Sequence, residues 1–397
     1  MADSAALLVD DILPHQPMRQ WVLSVPFPLR YLFASKPAVM GKVLGIVHRA
    51  IATHLVHKAG YTKTTAQTGA VTLIQCFGGA LNLNIHFHML FLDGVYTVGS
   101  IGHPMWFRQV KAPNRDELTR LTRTIAHRVG RYLERQGLVE GDTGNVYLTP
   151  DAVNASDDDP SSQLLGSSIT YRIALGPQQG RKVFTLQTLP DLESDNPFSS
   201  SVGEVAGFSL HAGVATKANE RAKLERLCRY ITRSALSTKR LSLTRNGQVR
   251  YELKTPWRNG TTHVIFEPLD FIARLVALVP KPRVNLTRFH GIFAPNSKYR
   301  ALVTPAKRGR GKTVKALNDQ TPAEKRASMT WAKRLKRVFD IDIETCSECG
   351  GDVKIMASIE DPVVIQKILA HLEDNATSAA TALLPDCRAS PTVGLLV

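Results

Sequence analysis

The stretch Leu81 to Leu90, LNLNIHFHML, constrains the fold more than any other part of the chain. Along an extended strand successive side chains alternate between faces. Leu81, Leu83, Ile85, Phe87 and Met89 therefore share one face, while Asn82, Asn84, His86 and His88 share the other. The first set demands a core against it. The second is a polar row in which two imidazoles point the same way two strand rises apart, close enough to chelate one cation. A solvated sheet face would carry two histidines as readily, so spacing alone leaves both readings open.

Composition narrows the partners. At 397 residues the chain is long enough for two or three domains with their own cores. It carries 50 Lys+Arg against 34 Asp+Glu, a formal charge of +16. Such a surface favours polyanions, nucleic acid first and an anionic membrane second. Hydrophobic content of 43% excludes a mostly disordered chain. No uninterrupted run approaches the roughly 18 apolar residues of a membrane span. The start, MADSAALLVDDIL, lacks the basic region of a secretory signal. Five scattered cysteines fit a reducing cytoplasm better than a disulfide framework.

The patterning predicts an α+β chain. Gln20 to Phe27 reads as a strand stopped by Pro28, and Lys42 to His57 places apolar residues at helical spacing. Gly69 to Phe77 is a second strand, turned by Gly78-Gly79 into an antiparallel pairing with the histidine strand. Asn114-Arg-Asp-Glu117 has the form of a capping box. It opens a helix with a basic far side: Arg120, Arg123, Arg128, Arg131 and Arg135. Such a face is either solvated or turned to DNA.

Residues Asp151 to Gln163 read as a polar loop, followed by strands at Ser168 to Leu175, Arg181 to Leu186 and Glu204 to His211. A helix from Asn219 carries Tyr230. Asn246-Gly247 and Asn259-Gly260 suit hairpin turns in a meander from Leu241 to Glu267. Pro268 starts a helix expected to bury Phe271, Ile272, Leu275, Val276 and Val279. Lys307 to Lys312 reads as a basic linker, Thr330 to Phe339 as a basic amphipathic helix and Pro362 to Leu372 as a short closing helix. The expected divisions are an endonuclease-like core over 1–237 with a strand-rich insertion near 151–211, a meander and helix over 238–305, a linker over 306–329 and a C-terminal unit over 330–397.

Tyr230 sits in RLCRYITR, between Arg226, Arg229 and Arg233 on a helix. An amphipathic helix often buries such a ring with its hydroxyl at the surface. Beside a cation-binding strand in a basic chain, the tyrosine also fits a phosphoryl-transfer nucleophile. A phenol with a pKa near ~10 needs nearby positive charge to attack at neutral pH, and the arginines and a histidine-bound cation could supply it. Cys346 and Cys349 form a CxxC, half of a tetrahedral zinc site. His371 and Cys387 could complete it, and a plain turn with two thiols is the other reading.

The stretches GAVTLIQCFGGALNLNIHFHMLFLDGVY, KLERLCRYITR, RYELKTPWRNGTTHVIFEPLDFIARL and RFHGIFAPNSKYRALVTP together resemble the rolling-circle insertion-sequence transposases of the HUH (His-hydrophobic-His) class, including those associated with mobile common regions. The resemblance covers most of the chain in the same order. It implies an antiparallel-sheet endonuclease core and a tyrosine that attacks a phosphate of single-stranded DNA, leaving a 5′-phosphotyrosine link and a free 3′-hydroxyl. His86 and His88 match the metal pair and Tyr230 the nucleophile. Gln75, from the neighbouring strand, and Asn84, from the same face, are the candidates for a third ligand. Mg²⁺ or Mn²⁺ is the expected ion, because it must bridge phosphate oxygens and act as a Lewis acid. Zn²⁺ is expected, if anywhere, at Cys346 and Cys349. Arg226, Arg229 and Arg233 are expected to position DNA.

Two departures stand out. Relatives often carry a second tyrosine four residues before the first-named one, where this chain has Arg226, so it resembles the single-tyrosine branch. They also usually begin with a cysteine-rich, zinc-binding segment that this sequence lacks, so the resemblance implies an N-terminally shortened or differently started member with impaired DNA recognition. A plasmid replication initiator or relaxase with the same chemistry, and a non-catalytic DNA-binding remnant, are the alternatives.

Overall fold

The computed structural model describes residues 2–97, 105–142, 145–149, 160–188, 202–306, 330–346, 349–353, 359 and 361–376. The chain forms two compact units, Met1–Asp319 and Gln320–Val397.

In the first unit helix α1 (Ala2–Ala6) runs into a π-helical turn (Leu7–Ile12), strand β1 (Met18–Ser24) and helices α2 (Phe27–Ser35) and α3 (Pro37–Lys58). Strands β2 (Ala66–Gln67), β3 (Gly69–Phe77), β4 (Leu83–Leu92), β5 (Gly94–Thr97) and β6 (Phe107–Gln109) precede helix α4 (Arg115–Arg135). Next come β7 (Val139–Asp142), β8 (Asn145–Leu148), α5 (Pro160–Ile169), β9 (Phe184–Gln187), β10 (Val202–Val205), β11 (Phe208–Thr216) and α6 (Arg221–Ile231). Strands β12 (Leu241–Leu243), β13 (Val249–Glu252) and β14 (Thr261–Phe266), helix α7 (Pro268–Leu278), strand β15 (Thr287–Gly291) and helix α8 (Arg300–Val303) complete it. The second unit holds α9 (Trp331–Phe339) and α10 (Pro362–Ala376).

The α+β expectation holds. A six-stranded antiparallel sheet has the order β10-β11-β1-β4-β3-β15, with the histidine strand β4 near its middle. Alternation along the strands splits the sheet into two chemically distinct faces. On one face Trp21, Leu23, Ile85, Phe87, Met89 and Phe91 pack against α2, α3 and α4. On the other, Met18, Val71, Leu73, Leu90 and Leu92 pack against the N-terminal helical turns and α6. Trp21 and Phe87 are wholly buried, and each such side chain contributes roughly 1.5–3 kcal/mol by leaving water.

A buried ion pair fixes the centre. Arg19 donates from Nε and Nη2 to the two oxygens of Asp93, both at 2.8 Å, and from Nη1 to the Ala212 carbonyl at 2.9 Å. It thereby ties β1 to the end of β4 and to β11, satisfying a charge that would otherwise be costly to bury. The capping box at the start of α4 forms as the sequence predicts: Asn114 accepts from Glu117 N while Glu117 accepts from Asn114 N.

A second sheet has the order β12-β13-β14-β9, so the segment before Gln187 joins the meander in one layer. Its core is Tyr251, Leu253, Val264 and Phe266, and Ala80 and Leu81 of the turn before β4 belong to that cluster.

Several local expectations need correcting. The histidine strand starts at Leu83: Leu81 has a left-handed backbone and lies in the preceding turn. That turn requires its glycine, because a Cβ on Gly78 would collide with the Asn82 side chain. The first strand ends at Ser24, and Pro28 lies in the first turn of α2, where a missing N–H costs nothing. Pro160 to Gln163 is the first turn of α5; residues 151–159 lie outside the described residues. Ser168 to Leu175 is not a strand, since α5 runs to Ile169 and Tyr171 is left-handed.

Glu204 to His211 contains a hairpin, β10 and β11, turned by Ala206-Gly207 with positive φ at both residues. Helix α7 buries Asp270, Ala273, Arg274 and Ala277 rather than the predicted apolar stripe, leaving Ile272 54% and Val276 51% exposed. The inward charges serve the backbone of the 172–174 loop: Arg274 donates to Arg172 O and Asp270 accepts from Ala174 N. The expected linker at 307–312 lies outside the described residues. Helix α3 does contain an 18-residue window of mean hydropathy 1.3, the length and composition of a membrane span. Its Val43, Val47, Ile51 and Leu55 are sealed against the sheet.

Candidate active site

The polar patch of the sheet lies where β1, β3 and β4 meet beneath α6. His88 pairs with Val22 of β1 and Leu73 of β3, and His86 pairs with Ser24 and Gln75. Directly opposed residues share a face, so Gln75, His86 and His88 converge on the side covered by α6. The imidazole centroids of His86 and His88 are 4.9 Å apart.

Each ring is held by its Nδ1. That of His86 lies 2.8 Å from the Asn84 carbonyl, and that of His88 lies 2.7 Å from the Gln20 side-chain amide. His86 Nδ1–H donates to the Asn84 carbonyl and leaves its Nε2 lone pair free, the arrangement of a ligand histidine. His88 Nδ1 accepts from the Gln20 amide nitrogen, and its Nε2 becomes a ligand once the Gln20 amide turns its oxygen to the ring and accepts from Nδ1–H. Burial lowers the pKa of both histidines, for His88 to about 3, with His86 and Arg233 adding to the effect. They are therefore neutral at neutral pH, the state in which imidazole binds a metal.

Gln75 is 3% exposed. Its Nε2 donates to Ile231 O at 2.7 Å, fastening the last turn of α6 to the sheet. Its Oε1 is buried without a hydrogen-bond partner among the described residues, and so is Asn84 Oδ1. An orphaned buried carbonyl oxygen beside two neutral histidines is an unusual cost for a fold to carry, and it is a donor that suits a hard cation. No group of three or more His, Cys, Asp or Glu converges among the described residues. A metal at this patch would therefore need an amide oxygen to complete its protein ligands. The side chains present fit Mg²⁺ or Mn²⁺ in that way.

Tyr230 stands over the patch. Its ring is 6.5 Å from that of His88 and nearly perpendicular to it. The α6 helix buries Leu224, Leu227, Cys228 and Ile231, which turns Tyr230 half-buried towards the histidines. Two cations flank the phenol: the Arg233 guanidinium lies 4.4 Å from the ring centroid and the Lys254 ammonium 5.0 Å. Arg226 is exposed one turn earlier on α6, and Arg229 is paired with Glu225 at 3.2 Å.

Sequence reasoning missed Gln20, Lys254 and Arg30. The first was visible as a polar residue in an otherwise apolar strand. The second lies within RYELKTPW and reaches Tyr230 only because the meander folds back. Arg30, on α2, is close enough for its charge to lower the His86 pKa. His211 shares the face of His86 and His88 but pairs with Val22, two strands from His88. His290 lies on the opposite face, stacked 4.6 Å from His48.

Cys346 and Cys349 belong to the second unit. Gly350 N donates to Cys346 O, and Thr345 bridges Asp352. Cys387 lies outside the described residues, so a fourfold cysteine and histidine set is not assembled among them.

Residues 69–300 match the model of one protein family, Y2_Tnp, described as "Putative transposase". No curated protein and no solved structure gives a significant match. The matched span covers β3, β4, α6 and the meander, so it contains Gln75, His86, His88, Tyr230 and Lys254. It extends over more than half of the chain, and the protein belongs to this transposase family, whose partner is DNA.

Proposed function

We propose that the protein nicks and rejoins single-stranded DNA by transesterification on Tyr230, as a single-tyrosine HUH transposase acting in rolling-circle transposition in the cytoplasm. The observation that carries this reading is the position of one phenol over two neutral histidines, His88 buried and His86 half-buried, and between two cations. His86 and His88, with Gln75 Oε1, would hold Mg²⁺ or Mn²⁺. When bound, such an ion supplies Lewis-acid charge neutralisation at the scissile phosphate.

The chain's own residues account for the rest. Arg233 and Lys254 place positive charge against the Tyr230 ring, and the exposed Arg226, with the donors Arg30 keeps beyond its bond to Val25 O, would hold phosphate oxygens as negative charge develops. Tyr230 Oη forms a bond to phosphorus as the P–O3′ bond breaks. The phenol proton passes to water and the departing 3′ oxygen gains one, leaving a 5′-phosphotyrosine and a 3′-hydroxyl. Rejoining is the reverse attack by a 3′-hydroxyl. Arg226 occupies the position one turn before Tyr230, so α6 offers no second phenol there.

Incubating the full chain with a labelled single-stranded oligonucleotide from the element end and Mn²⁺ tests the reading. A covalent adduct is expected for the natural protein and none for Tyr230→Phe. An adduct of undiminished yield in the variant would refute it.

A further inference from the structure

The sheet face opposite Tyr230 carries a second feature, a cleft of about 400 Å³ between α3 and α4. It is lined by His54 and Lys58 of α3 and by Glu117, Arg120, Thr124 and Arg128 of α4, among others. These two helices pack through Val47, Ile51, Leu55, Leu118, Leu121 and Ile125 on the Trp21 and Phe91 side of the sheet. The cleft is therefore separated from Tyr230 by the sheet itself.

The cleft carries an uncompensated positive charge. Its one carboxylate, Glu117, is engaged: Oε2 accepts from Lys58 Nζ at 2.6 Å and from Asn114 N at 2.9 Å. Arg120 and Arg128 are exposed and have no ion-pair partner among the described residues. The His54 Nε2 is buried without a hydrogen-bond partner among the described residues. Beyond the cleft, Arg131 and Arg135 are also exposed, so guanidinium groups recur along α4 over about 22 Å at ~1.5 Å per residue. No carboxylate among the described residues pairs with these groups, and their repeat along a helix suits a chain of phosphates better than a single small anion.

We propose that the α3–α4 cleft is a second DNA-binding site, which grips the phosphodiester backbone through Arg120 and Arg128 at a distance from the scissile phosphate. This rests on the reading of the chain as a DNA-cleaving transposase and adds a location for DNA that the Tyr230 face does not provide. The strand held there is either a distal single-stranded part of the cleaved DNA or a duplex flank, since both present the same backbone.

The test measures DNA binding by the full chain in the absence of divalent metal, by fluorescence anisotropy over a salt series, with one long oligonucleotide offered single-stranded and as duplex. Arg120→Gln/Arg128→Gln removes two phosphate contacts. The slope of log affinity against log salt should become shallower by about 1.4 for a single strand or about 1.8 for duplex, and the form that shows the change identifies the strand. Arg181→Gln/Lys182→Gln, which removes equal exposed charge elsewhere, should leave the slope unchanged. Nicking of a short oligonucleotide that spans only the scissile site should be the same in all three proteins. Equal effects of the two double substitutions, or no effect of either, would overturn the proposal. Failure of the natural protein to bind DNA in a salt-dependent way would overturn the DNA reading of the cleft as well. Natural binding with an unaltered Arg120→Gln/Arg128→Gln slope would remove the cleft alone and leave Tyr230 chemistry standing.

Discussion

Replacing Gln75 by leucine separates the structural from the metal-binding role of one buried amide. The substitution removes the hydrogen bond from Nε2 to Ile231 O at 2.7 Å, which leaves a buried carbonyl unpaired at a cost of about 1–3 kcal/mol. It also removes Oε1, a buried acceptor with no partner among the described residues, which returns a similar amount. The metal-free variant should therefore differ from the natural protein by no more than ~1–2 kcal/mol in unfolding free energy. The response to Mn²⁺ should differ much more. At a concentration about 100 times the dissociation constant, a ligand that binds only the folded state stabilises it by about 2.7 kcal/mol. If losing one of three ligands weakens binding ~100-fold, the same concentration yields only about 0.4 kcal/mol. Urea unfolding with and without Mn²⁺ reads both quantities. Equal Mn²⁺ stabilisation of the natural protein and Gln75→Leu would refute Gln75 as a ligand, and loss of the response in Asn84→Leu instead would transfer the role to that residue.

Lys254→Met should slow single-turnover adduct formation by roughly 10²-fold, the order expected for one preorganised charge at a reacting oxygen, while leaving Mn²⁺ stabilisation unchanged; an unaltered rate would remove Lys254 from the site. The stacked pair on the far face makes a pH prediction. Burial pushes His48 down to about 3 and His290 to about 4 from the usual value of 6.5. The unfolded chain takes up these protons first, so stability present above about pH 6.5 is lost as pH falls towards the folded values. His48→Phe, which keeps a ring against Phe91, should lose less unfolding free energy than the natural protein between about pH 7 and about pH 5. An identical loss would show that His48 does not titrate as its burial requires.

The parts of this fold legible in the sequence were those in which local pattern and tertiary environment agree. Alternation in Leu83 to Met89 is an intrinsic property of a strand with one buried face, so the two faces of the sheet and the convergence of His86 and His88 could be anticipated. The Asn114 capping box and the Pro268 helix start are likewise local. Where a segment's partner lies far along the chain, pattern failed. The apolar stripe Ile272, Val276 and Val279 looked like a core face, yet Asp270 and Arg274 point inward because the loop at Arg172 and Ala174 needs their hydrogen bonds. Lys254 could not be connected to Tyr230, because only the folded-back meander brings them together. Gln20 meets His88 across a β1–β4 pairing whose residues are 68 positions apart. Tyr230 itself was legible as a residue among arginines, but its direction followed from the buried stripe Leu224, Leu227, Cys228 and Ile231 on the same helix.

The central claim is that Tyr230 becomes covalently attached to DNA through a 5′-phosphate. The most direct measurement is peptide mapping of the adduct formed by the natural protein: trap the reaction with Mn²⁺ and single-stranded element-end DNA, digest protein and DNA, and sequence the nucleotide-bearing peptide by mass spectrometry. The account predicts one modified peptide, containing Tyr230, with the nucleotide joined through its 5′-phosphate and a matching fragment ending in a 3′-hydroxyl. A nucleotide on any other residue, a 3′-phosphate linkage, or cleavage with no protein-bound nucleotide would contradict it.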